Sequence, residues 1–460
     1  MNHMHFIYAS KQEGTLFSMK KENSPAAKEK RFTKRERAWI LYDWANSIYA
    51  TNIMAAIFPI YFSMMATDAG NRLYGFAVSA SNLIIALLAP LLGAVGDFRG
   101  MKKKLFSAFL IIGLVFTAVM ALFDSWQLML VGYVISHIGF SGSCLFYDSF
   151  LTDVTTPERM DKVSAYGYAM GYIGGSTIPF LISIVVLLVL GMENPLAHKI
   201  AILIVVFWWA VFSIPFLKNV EQVYSVDDPP AQLARAAFSN MIKTFRSIIT
   251  DKRLLFFITA YFFYIDGVST IISMATNYGE TLGLGAIGMV LALLVTQVVA
   301  VPFSILFSNL AKKVGAIRMI AVAVCVYFVI TIMGFIMGYN IEAAQLSGGD
   351  VAAATKTSTV LFWILATLVG TVQGGIQALS RSYFGQIIPP ERSNEYFGFL
   401  DIFGKFSCVI GPALYSLVYT LTDRPSLGIL SVILLFLAGA VALACGRKYF
   451  VLPLKAKENA

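Results

Sequence analysis

The sequence predicts an all-α membrane protein with twelve transmembrane helices in two parallel six-helix halves. Three observations predict this fold class: the apolar composition, the length of the apolar runs, and an internal repeat. The 460 residues are 58% hydrophobic and only 13% charged, with a mean hydropathy of +0.72. Soluble proteins carry roughly a quarter charged residues. A soluble chain of this size would need a more polar surface, so the composition fits a protein that has lipid as its solvent.

Apolar runs long enough to cross a membrane recur along the chain. A hydrocarbon core about 30 Å thick needs roughly 20 apolar residues per helix. The runs are too long and too continuous for the strands of a membrane barrel, in which apolar residues alternate with polar ones. They predict spans at 38–66, 73–97, 104–123, 127–153, 162–190, 199–217, 254–277, 284–308, 317–339, 358–381, 394–421 and 426–446.

Basic residues are unevenly distributed over the loops that join these spans. Twelve spans place both termini on one side, and that side holds 29 Lys and Arg residues against 4 on the other. Because cytoplasmic loops are enriched in Lys and Arg, both termini are expected in the cytoplasm, with the chain in the inner cell membrane. The expected organisation is a cytoplasmic segment (1–37), a six-helix half (38–217), a cytoplasmic linker (218–253), a second six-helix half (254–446) and a cytoplasmic tail (447–460).

The linker contains a stretch with helical periodicity. Within residues 231–249, apolar residues recur every three or four positions, and Arg235, Lys243 and Arg246 lie elsewhere on the helix. This pattern is typical of a basic amphipathic helix that lies on the inner leaflet of a membrane. A plain solvated linker is the alternative.

The two halves are related in sequence. When residues 142–185 are placed on residues 375–418 without a gap, ten of the 44 positions are identical. The matches include the tripeptide Pro-Glu-Arg at 157–159 and 390–392, together with glycine and proline pairs that apolar composition alone would not align. The repeats are six spans apart, and this even number indicates parallel halves related by an axis along the membrane normal.

The loop after the second span contains the motif GAVGDFRGMKKK. Its residues Gly93, Asp97, Gly100, Lys102 and Lys103 fit the pattern G-x-x-x-D-x-x-G-x-[KR]-[KR] and resemble the loop motif of the major facilitator transporters. The glycines allow a tight turn, and the basic residues are expected to hold the loop at the anionic leaflet. Asp97 is then free to accept hydrogen bonds from a neighbouring helix start or a cation. An ordinary basic loop, the alternative, would explain the lysines but not Asp97.

Further segments resemble one branch of the major facilitators. The first span contains YDWANS (42–47) and FPIYF (58–62), and the seventh contains AYFFYIDGVSTIIS (260–273). They resemble the family related to the fungal vacuolar amino-acid effluxers of autophagy and its bacterial homologues, over most of residues 35–446. The resemblance implies the twelve-helix major facilitator fold and the export or exchange of a solute. Amino acids as substrates are implied through the fungal branch alone.

Charged residues inside the spans are the first candidates for function, because each costs a few kcal/mol in lipid unless it is paired or hydrated. Asp401 and Lys405 are four residues apart and can neutralise each other on one helix face, although a direct transport role is the alternative. Asp148 and Arg381 occupy the same repeat position. In the major facilitator fold their helices line the central cavity, so the two could form a cytoplasmic gate pair, or each could be satisfied separately.

Two aspartates align between the halves, Asp43 in DWANS and Asp266 in DGVST. Helices 1 and 7 line the cavity in facilitators, so either carboxylate could take up a proton and release it as its surroundings change. Asp266 lies near the middle of its span and is the stronger candidate for coupling. Asp43 could instead be a structural partner for the region around Asn46. Binding of a substrate amine, or helix packing, is the alternative for both aspartates.

Other classes of function lack their signals in this sequence. It contains no HExxH motif, no nucleophile–base constellation, no metal-ligand spacing and no phosphate-binding P-loop. The sequence therefore predicts a secondary active transporter of a small solute, coupled to protons or another ion, without catalytic residues, metal site or cofactor. Its expected partners are the solute and the lipid bilayer, with no nucleic acid, and the chain is expected to be monomeric. A non-transporting membrane receptor and a membrane-embedded enzyme are the alternatives.

The charge bias leads to a test of membrane topology. Reporter fusions after residues 100, 159, 235 and 455 should report the cytoplasm, and fusions after residues 70, 193 and 350 should report the outside. The physical reason is the retention of Lys and Arg on the cytoplasmic side during insertion. A fusion at residue 235 that scored outside would contradict the division into six helices plus six.

Overall fold

The structure, a computed structural model, describes residues 31–227, 232–284 and 286–450, and in these ranges it contains helices and no strand. Within these described ranges, twelve helices are long and apolar enough to cross a membrane, which confirms the predicted number of spans. They are α1 Lys34–Met65, α2 Asp68–Gly96, α3 Met101–Leu122, α4 Trp126–Val154, α5 Pro157–Leu190, α6 Pro195–Asn219, α7 Lys252–Thr281, α8 Ala286–Val314, α9 Ala316–Ser347, α10 Val351–Ile387, α11 Ser393–Thr422 and α12 Pro425–Gly446.

The helices begin and end where local chemistry allows it. At the start of α1, the Thr33 side chain accepts from the amide of Glu36 while the Glu36 carboxylate accepts from the amide of Thr33, a reciprocal capping box. Gly100, between α2 and α3, has a φ of 71°, a left-handed conformation that glycine adopts without strain. Most helices run past the predicted spans because hydropathy detects the lipid-embedded part, whereas capped turns continue into the interface.

Six helices form each half, and each half has its own apolar core. One core is built mainly from residues of α1, α3, α4 and α6, and the other mainly from residues of α7 to α12. The halves meet mainly through α2 against α11, and through α5 against α8 and α10. This is the parallel two-half arrangement that the internal repeat predicts.

Glycines allow the α2 and α11 backbones to touch. A Cβ atom on Gly398 of α11 would lie 2.6 Å from the carbonyl oxygen of Ala89 on α2. A Cβ atom on Gly93 of α2 would meet the backbone of Asn394 at the start of α11. Side chains at these two positions would push the helices apart, so the glycine of the loop motif serves helix packing as well as the turn.

A further helix, Leu233–Thr250, lies between the two halves in the chain, and we call it the linker helix. It packs on α2, α7 and α11. We call the end of the bundle where it lies the linker face, and the other end the opposite face. Odd-numbered helices begin at the linker face and even-numbered helices end there.

Two of the membrane helices contain a wider turn. Tyr49–Ala56 in α1 and Gly171–Thr177 in α5 are π-helical, and these two segments pack against each other. Such segments widen the helix by one residue per turn and occur often at functional sites. Here they lie in the helices that flank the central cavity described below.

Candidate functional site: a polar cavity and the closure beneath it

A polar cavity of about 330 Å³ lies between the two halves. Asp148 of α4 and Tyr168 of α5 line it from the first half. The second half contributes residues of α7, α10 and α11, namely Tyr261, Ile265, Ser269, Gln377, Arg381, Phe397, Leu400, Asp401, Gly404 and Lys405. Four of the charged residues singled out in the sequence therefore surround one space.

Arg381 of α10 reaches across the cavity into the first half. Its Nη1 donates to Asp148 at 2.9 Å, and its Nη2 donates to Asp43 of α1 at 3.2 Å. Its Nε and Nη2 also donate to the hydroxyl and the carbonyl of Ser164 on α5, at 3.0 and 3.1 Å. Arg381 is 6% exposed, so its charge is satisfied almost entirely by groups of the other half.

Aromatic rings complete the surroundings of the guanidinium. The centroids of Trp39, Tyr147 and Tyr168 lie 4.6, 5.4 and 4.4 Å from the Arg381 Cζ atom. A guanidinium within about 6 Å of a ring face is attracted by the ring quadrupole, and more strongly where water is excluded. The carboxylate partners are unequal: the side chain of Asp43 is 11% exposed and that of Asp148 is 37% exposed. Asp148 is therefore the partner that a solute in the cavity can reach.

The second charge pair of the cavity lies within α11. Lys405 Nζ donates to both carboxylate oxygens of Asp401, at 2.8 and 2.9 Å. The two residues therefore neutralise each other on one helix face, and both line the cavity.

Asp97 closes the linker face by capping a helix of the other half. Its Oδ1 accepts from the backbone amide and the side-chain amide of Asn394, at 2.9 and 2.8 Å, and its Oδ2 accepts from the amide of Glu395 at 3.1 Å. These two residues form the first turn of α11, where backbone amides lack helical partners and the helix dipole favours a negative charge. Ser149 of α4 also donates its hydroxyl to the Asn394 side chain. The loop motif therefore holds the start of α11.

The sequence predicted that Lys102 lies at the anionic leaflet, and this prediction is wrong: Lys102 is fully buried. Its Nζ donates to Asp153 of α4 at 2.6 Å and to Ser393 of α11 at 2.9 Å. The other oxygen of Asp153 accepts from the amides of Val223 and Tyr224 in the linker, at 2.7 and 2.9 Å. A buried ammonium needs such partners, so Lys102 ties together both halves and the linker. Lys103 is only partly buried and Gly100 forms the turn.

A further contact between the halves involves Asp161 of α5. Asp161 accepts from the Ser382 hydroxyl at 2.6 Å and from the Gln386 side chain at 2.9 Å, both on α10.

The second half lacks a counterpart of Asp97 in its own loop, where Lys312 stands at the matching position. The two sides of the interface are therefore held by different chemistry despite the repeat.

Asp266 of α7 is fully buried but does not line the polar cavity. Its Oδ1 accepts from the amide of Gly411 on α11 at 2.9 Å and from the Thr270 hydroxyl at 3.3 Å, and its Oδ2 is buried without a hydrogen-bond partner among the described residues. Asn46 likewise packs within its own half, with its side-chain amide 3.8 Å from the Cys144 sulfur. Asp43 and Asp266 thus occupy different environments, although their sequences align.

A second, mostly apolar pocket lies inside the second half, further from the linker face. Helices α7, α8, α9, α10 and α12 line it with residues such as Ile272, Leu293, Phe362 and Val369. Gln373 of α10 also lines this pocket, one helical turn from Gln377 in the polar cavity. The two spaces are therefore adjacent along α10.

Comparison with known proteins agrees with this architecture. The family described as vacuole effluxer Atg22 like matches residues 72–446. The chain belongs to the Atg22-like family. The uncharacterized MFS-type transporter YxiO of Bacillus subtilis (strain 168) is 42% identical over 90% of this chain and 95% of its own length. Autophagy-related protein 22 of Coccidioides immitis (strain RS) is 21% identical over 88% of this chain and 85% of its own length. The resemblance stated from the sequence is confirmed.

Solved structures give the fold of this Atg22-like chain. The major facilitator transporter FucP in its outward conformation superposes with a TM-score of 0.65 at 15% identity, over 90% of this chain and 98% of FucP. A bacterial homologue of the iron transporter ferroportin, in an outward-facing state, superposes with a TM-score of 0.64 at 14% identity. The superposition covers 90% of this chain and 98% of the homologue. These values establish the major facilitator fold. Together with the relatives, they identify a multi-pass membrane protein that is a secondary transporter of small molecules.

Sequence reasoning missed several residues that satisfy the charges of the site. Trp39, Tyr147 and Tyr168 carried no signal, since aromatic residues are common in apolar spans. Asn394 follows the Pro-Glu-Arg tripeptide, so a search for donors at the start of α11 could have found it. Asp153 lies close to the end of its span and resembled an ordinary interfacial residue.

We expect Asp97→Asn to leave membrane levels unchanged and to weaken the closure of the linker face. Replacing the carboxylate removes charge-assisted bonds that are worth about 1.5–3 kcal/mol each. The initial rate of solute transport in proteoliposomes should therefore fall at least about tenfold.

The control for this variant is Asp350→Asn, at the cap of α10 on the opposite face, where Asp350 accepts from the Ala353 amide within one half. Its uptake should stay close to that of the parent. Normal uptake by Asp97→Asn would contradict a role for Asp97 in closure.

We expect Asp148 and Arg381 to be energetically coupled. Asp148→Asn leaves Arg381 with Asp43, whereas Arg381→Gln leaves the carboxylates of Asp43 and Asp148 without their cation, and the double variant relieves part of that cost. A double-mutant cycle on the thermal unfolding of the purified protein should give a coupling energy of about 0.5–3 kcal/mol.

A matched exposed pair tests the specificity of this cycle. Lys199 and Asp124 are 2.5 Å apart within the first half, and the Asp124 side chain is 71% exposed. Their cycle should be additive within about 0.5 kcal/mol. Additive losses at Asp148 and Arg381 would mean that this contact does not form in solution.

Proposed function

We propose that this transporter moves small zwitterionic metabolites of the amino-acid class through the polar cavity, in exchange for or together with protons. The observation that carries this proposal is the shared cavity of Asp148, Arg381, Asp401 and Lys405. Groups of both signs at one place are suited to a solute that carries both an amine and a carboxylate.

The balance of charge supports a cationic partner. Asp43, Asp148 and Asp401 are three carboxylates, and Arg381 and Lys405 are two cations, so the ionised cluster has one negative charge in excess. In a medium of low dielectric constant an excess charge attracts a counter-ion strongly. A substrate ammonium group or a proton on Asp148 would supply the missing positive charge.

The adjacent apolar pocket supports an amphiphilic solute. It begins one turn along α10 from the polar cavity, and among its lining residues are several that are wholly apolar, such as Leu365 and Ile429. A solute whose charged end lies beside Asp148 could place an apolar side chain there. Burying such a side chain contributes about 1.5–3 kcal/mol.

We infer that the linker face is cytoplasmic and that the closed contacts at Asp97, Lys102 and Arg381 prevent access from the cytoplasm in this state. The bias of Lys and Arg toward this face supports the assignment. Transport requires these contacts to break as the halves rock about the central cavity. Export fits the fungal relatives, whose family is described as effluxers.

We propose Asp148 as the first candidate, and Asp266 as the second, for the group that couples transport to protons. Asp148 faces the cavity and accepts a hydrogen bond from Arg381 of the other half. A proton on Asp148 would remove its negative charge and so weaken this contact between the halves. Asp266 bonds to the backbone of α11 and lies away from the cavity, where a structural role is equally compatible with its contacts. Asp266 stays a candidate because one of its oxygens lacks a partner.

The test is transport by the purified protein in proteoliposomes. Amino acids with apolar, polar, acidic and basic side chains are supplied as radiolabelled solutes, with and without a proton gradient. We expect saturable transport of neutral amino acids with apolar side chains and accumulation that depends on the gradient. No transport of any zwitterionic solute would refute the proposed substrate class.

Two variants then separate the coupling candidates. Asp148→Asn should lose accumulation driven by the gradient and retain exchange of labelled for unlabelled solute, because exchange needs no net movement of protons. Asp266→Asn should retain both. The reverse result would identify Asp266 as the coupling group.

A further inference from the structure

The linker helix carries an apolar face that the described part of the chain leaves largely uncovered. Phe238, Ile242, Phe245 and Ile249 follow one another at intervals of three or four residues, so they lie on one side of the helix. Their exposed fractions are 54, 40, 48 and 46%. Such a continuous apolar stripe on an extramembrane helix indicates an interaction surface.

A neighbouring face of the same helix packs on the bundle. Ala237 and Thr244 are fully buried, and Ile248 belongs to the core of the second half. The Ser247 hydroxyl accepts from Tyr396 of α11 at 3.0 Å. Tyr396 directly follows Glu395, whose amide donates to Asp97. The linker helix therefore lies against the turn of α11 that Asp97 caps.

Basic residues border the apolar stripe on the side away from the bundle. At 100° per residue, Arg235 and Arg246 fall next to Ile242, and Lys243 follows further round. All three basic residues are exposed. The linker helix is not among the twelve helices apolar enough to cross a membrane. An apolar stripe bordered by basic residues is the arrangement of helices that lie in an anionic membrane interface.

We propose that the linker helix binds a leaflet containing anionic lipid through this stripe and its basic border, and thereby stabilises the closed contact between α2 and α11. The same helix packs on α2 of the first half and α11 of the second. Lipid that holds its apolar stripe keeps the buried face against both helices, so membrane charge and the closure of the linker face are coupled. The proposal goes beyond transport and depends on no substrate.

The experiment measures the separation of the two halves at the linker face. Spin labels are attached at Thr156→Cys and Glu391→Cys, exposed positions of the two halves, in the full chain with its four native cysteines replaced. Distance distributions are recorded in vesicles of phosphatidylcholine alone and of equal parts phosphatidylcholine and phosphatidylglycerol. We expect the anionic vesicles to raise the ratio of closed to open molecules about fivefold or more, the usual range of coupling between two sites.

Variants assign the effect to the linker helix. Arg235→Gln with Arg246→Gln, and separately Phe238→Ser with Phe245→Ser, should remove the dependence on phosphatidylglycerol, and both pairs alter exposed side chains. The matched control is Lys313→Gln with Arg318→Gln, which removes the same charge from exposed positions of the same face. It should keep the dependence.

Two results would overturn the proposal. The first is an unchanged distance distribution of the parent in the two kinds of vesicle, which would leave a soluble protein as the better occupant of the stripe. The second is a control variant that behaves like the linker-helix variants, which would attribute the effect to general surface charge.

Discussion

The guanidinium of Arg381 cannot give up its charge inside the bilayer, and the closed arrangement of the two halves depends on how that charge is satisfied. Arg381 belongs to the second half, but its carboxylates, its hydroxyl partner and its aromatic neighbours all belong to the first. Moving the halves apart would strip these partners from it. The halves can therefore separate without a large cost in free energy only when water or a solute replaces the partners of Arg381, or when a proton neutralises one of its carboxylates.

The contacts beneath the cavity obey the same rule. The first turn of α11 has backbone amides without helical partners, and Asp97 supplies the acceptor from the other half. The ammonium of Lys102 is buried and is satisfied by Asp153 and Ser393. Each contact stabilises the closed state because breaking it leaves a polar group unpaired. A transporter needs such contacts to be exchangeable, and water at the opened face can replace them.

The location of these contacts also explains why the linker takes part in the closure. Backbone amides of Val223 and Tyr224 bond to Asp153, and the linker helix packs on α2 and α11. The segment that joins the halves is therefore hydrogen-bonded to the same polar contacts that hold the two halves together at the linker face. A change in how the linker helix is held can bias the equilibrium without touching the cavity.

The sequence by itself determined that the chain lies in lipid, how many helices it has, that they form two related halves, and which family it resembles. The reason is that apolar length, charge bias and motif spacing are local or periodic properties of the sequence. It also singled out Asp97, Asp148 and Arg381, since a charge within or beside an apolar span is conspicuous. Only the tertiary structure decided which charges meet: that Asp43 shares Arg381, that Lys102 turns inward, and that Asp266 faces α11 and not the cavity. The physical reason is that pairing depends on the rotation and register of helices distant in sequence, and these are set by the packing of both halves together.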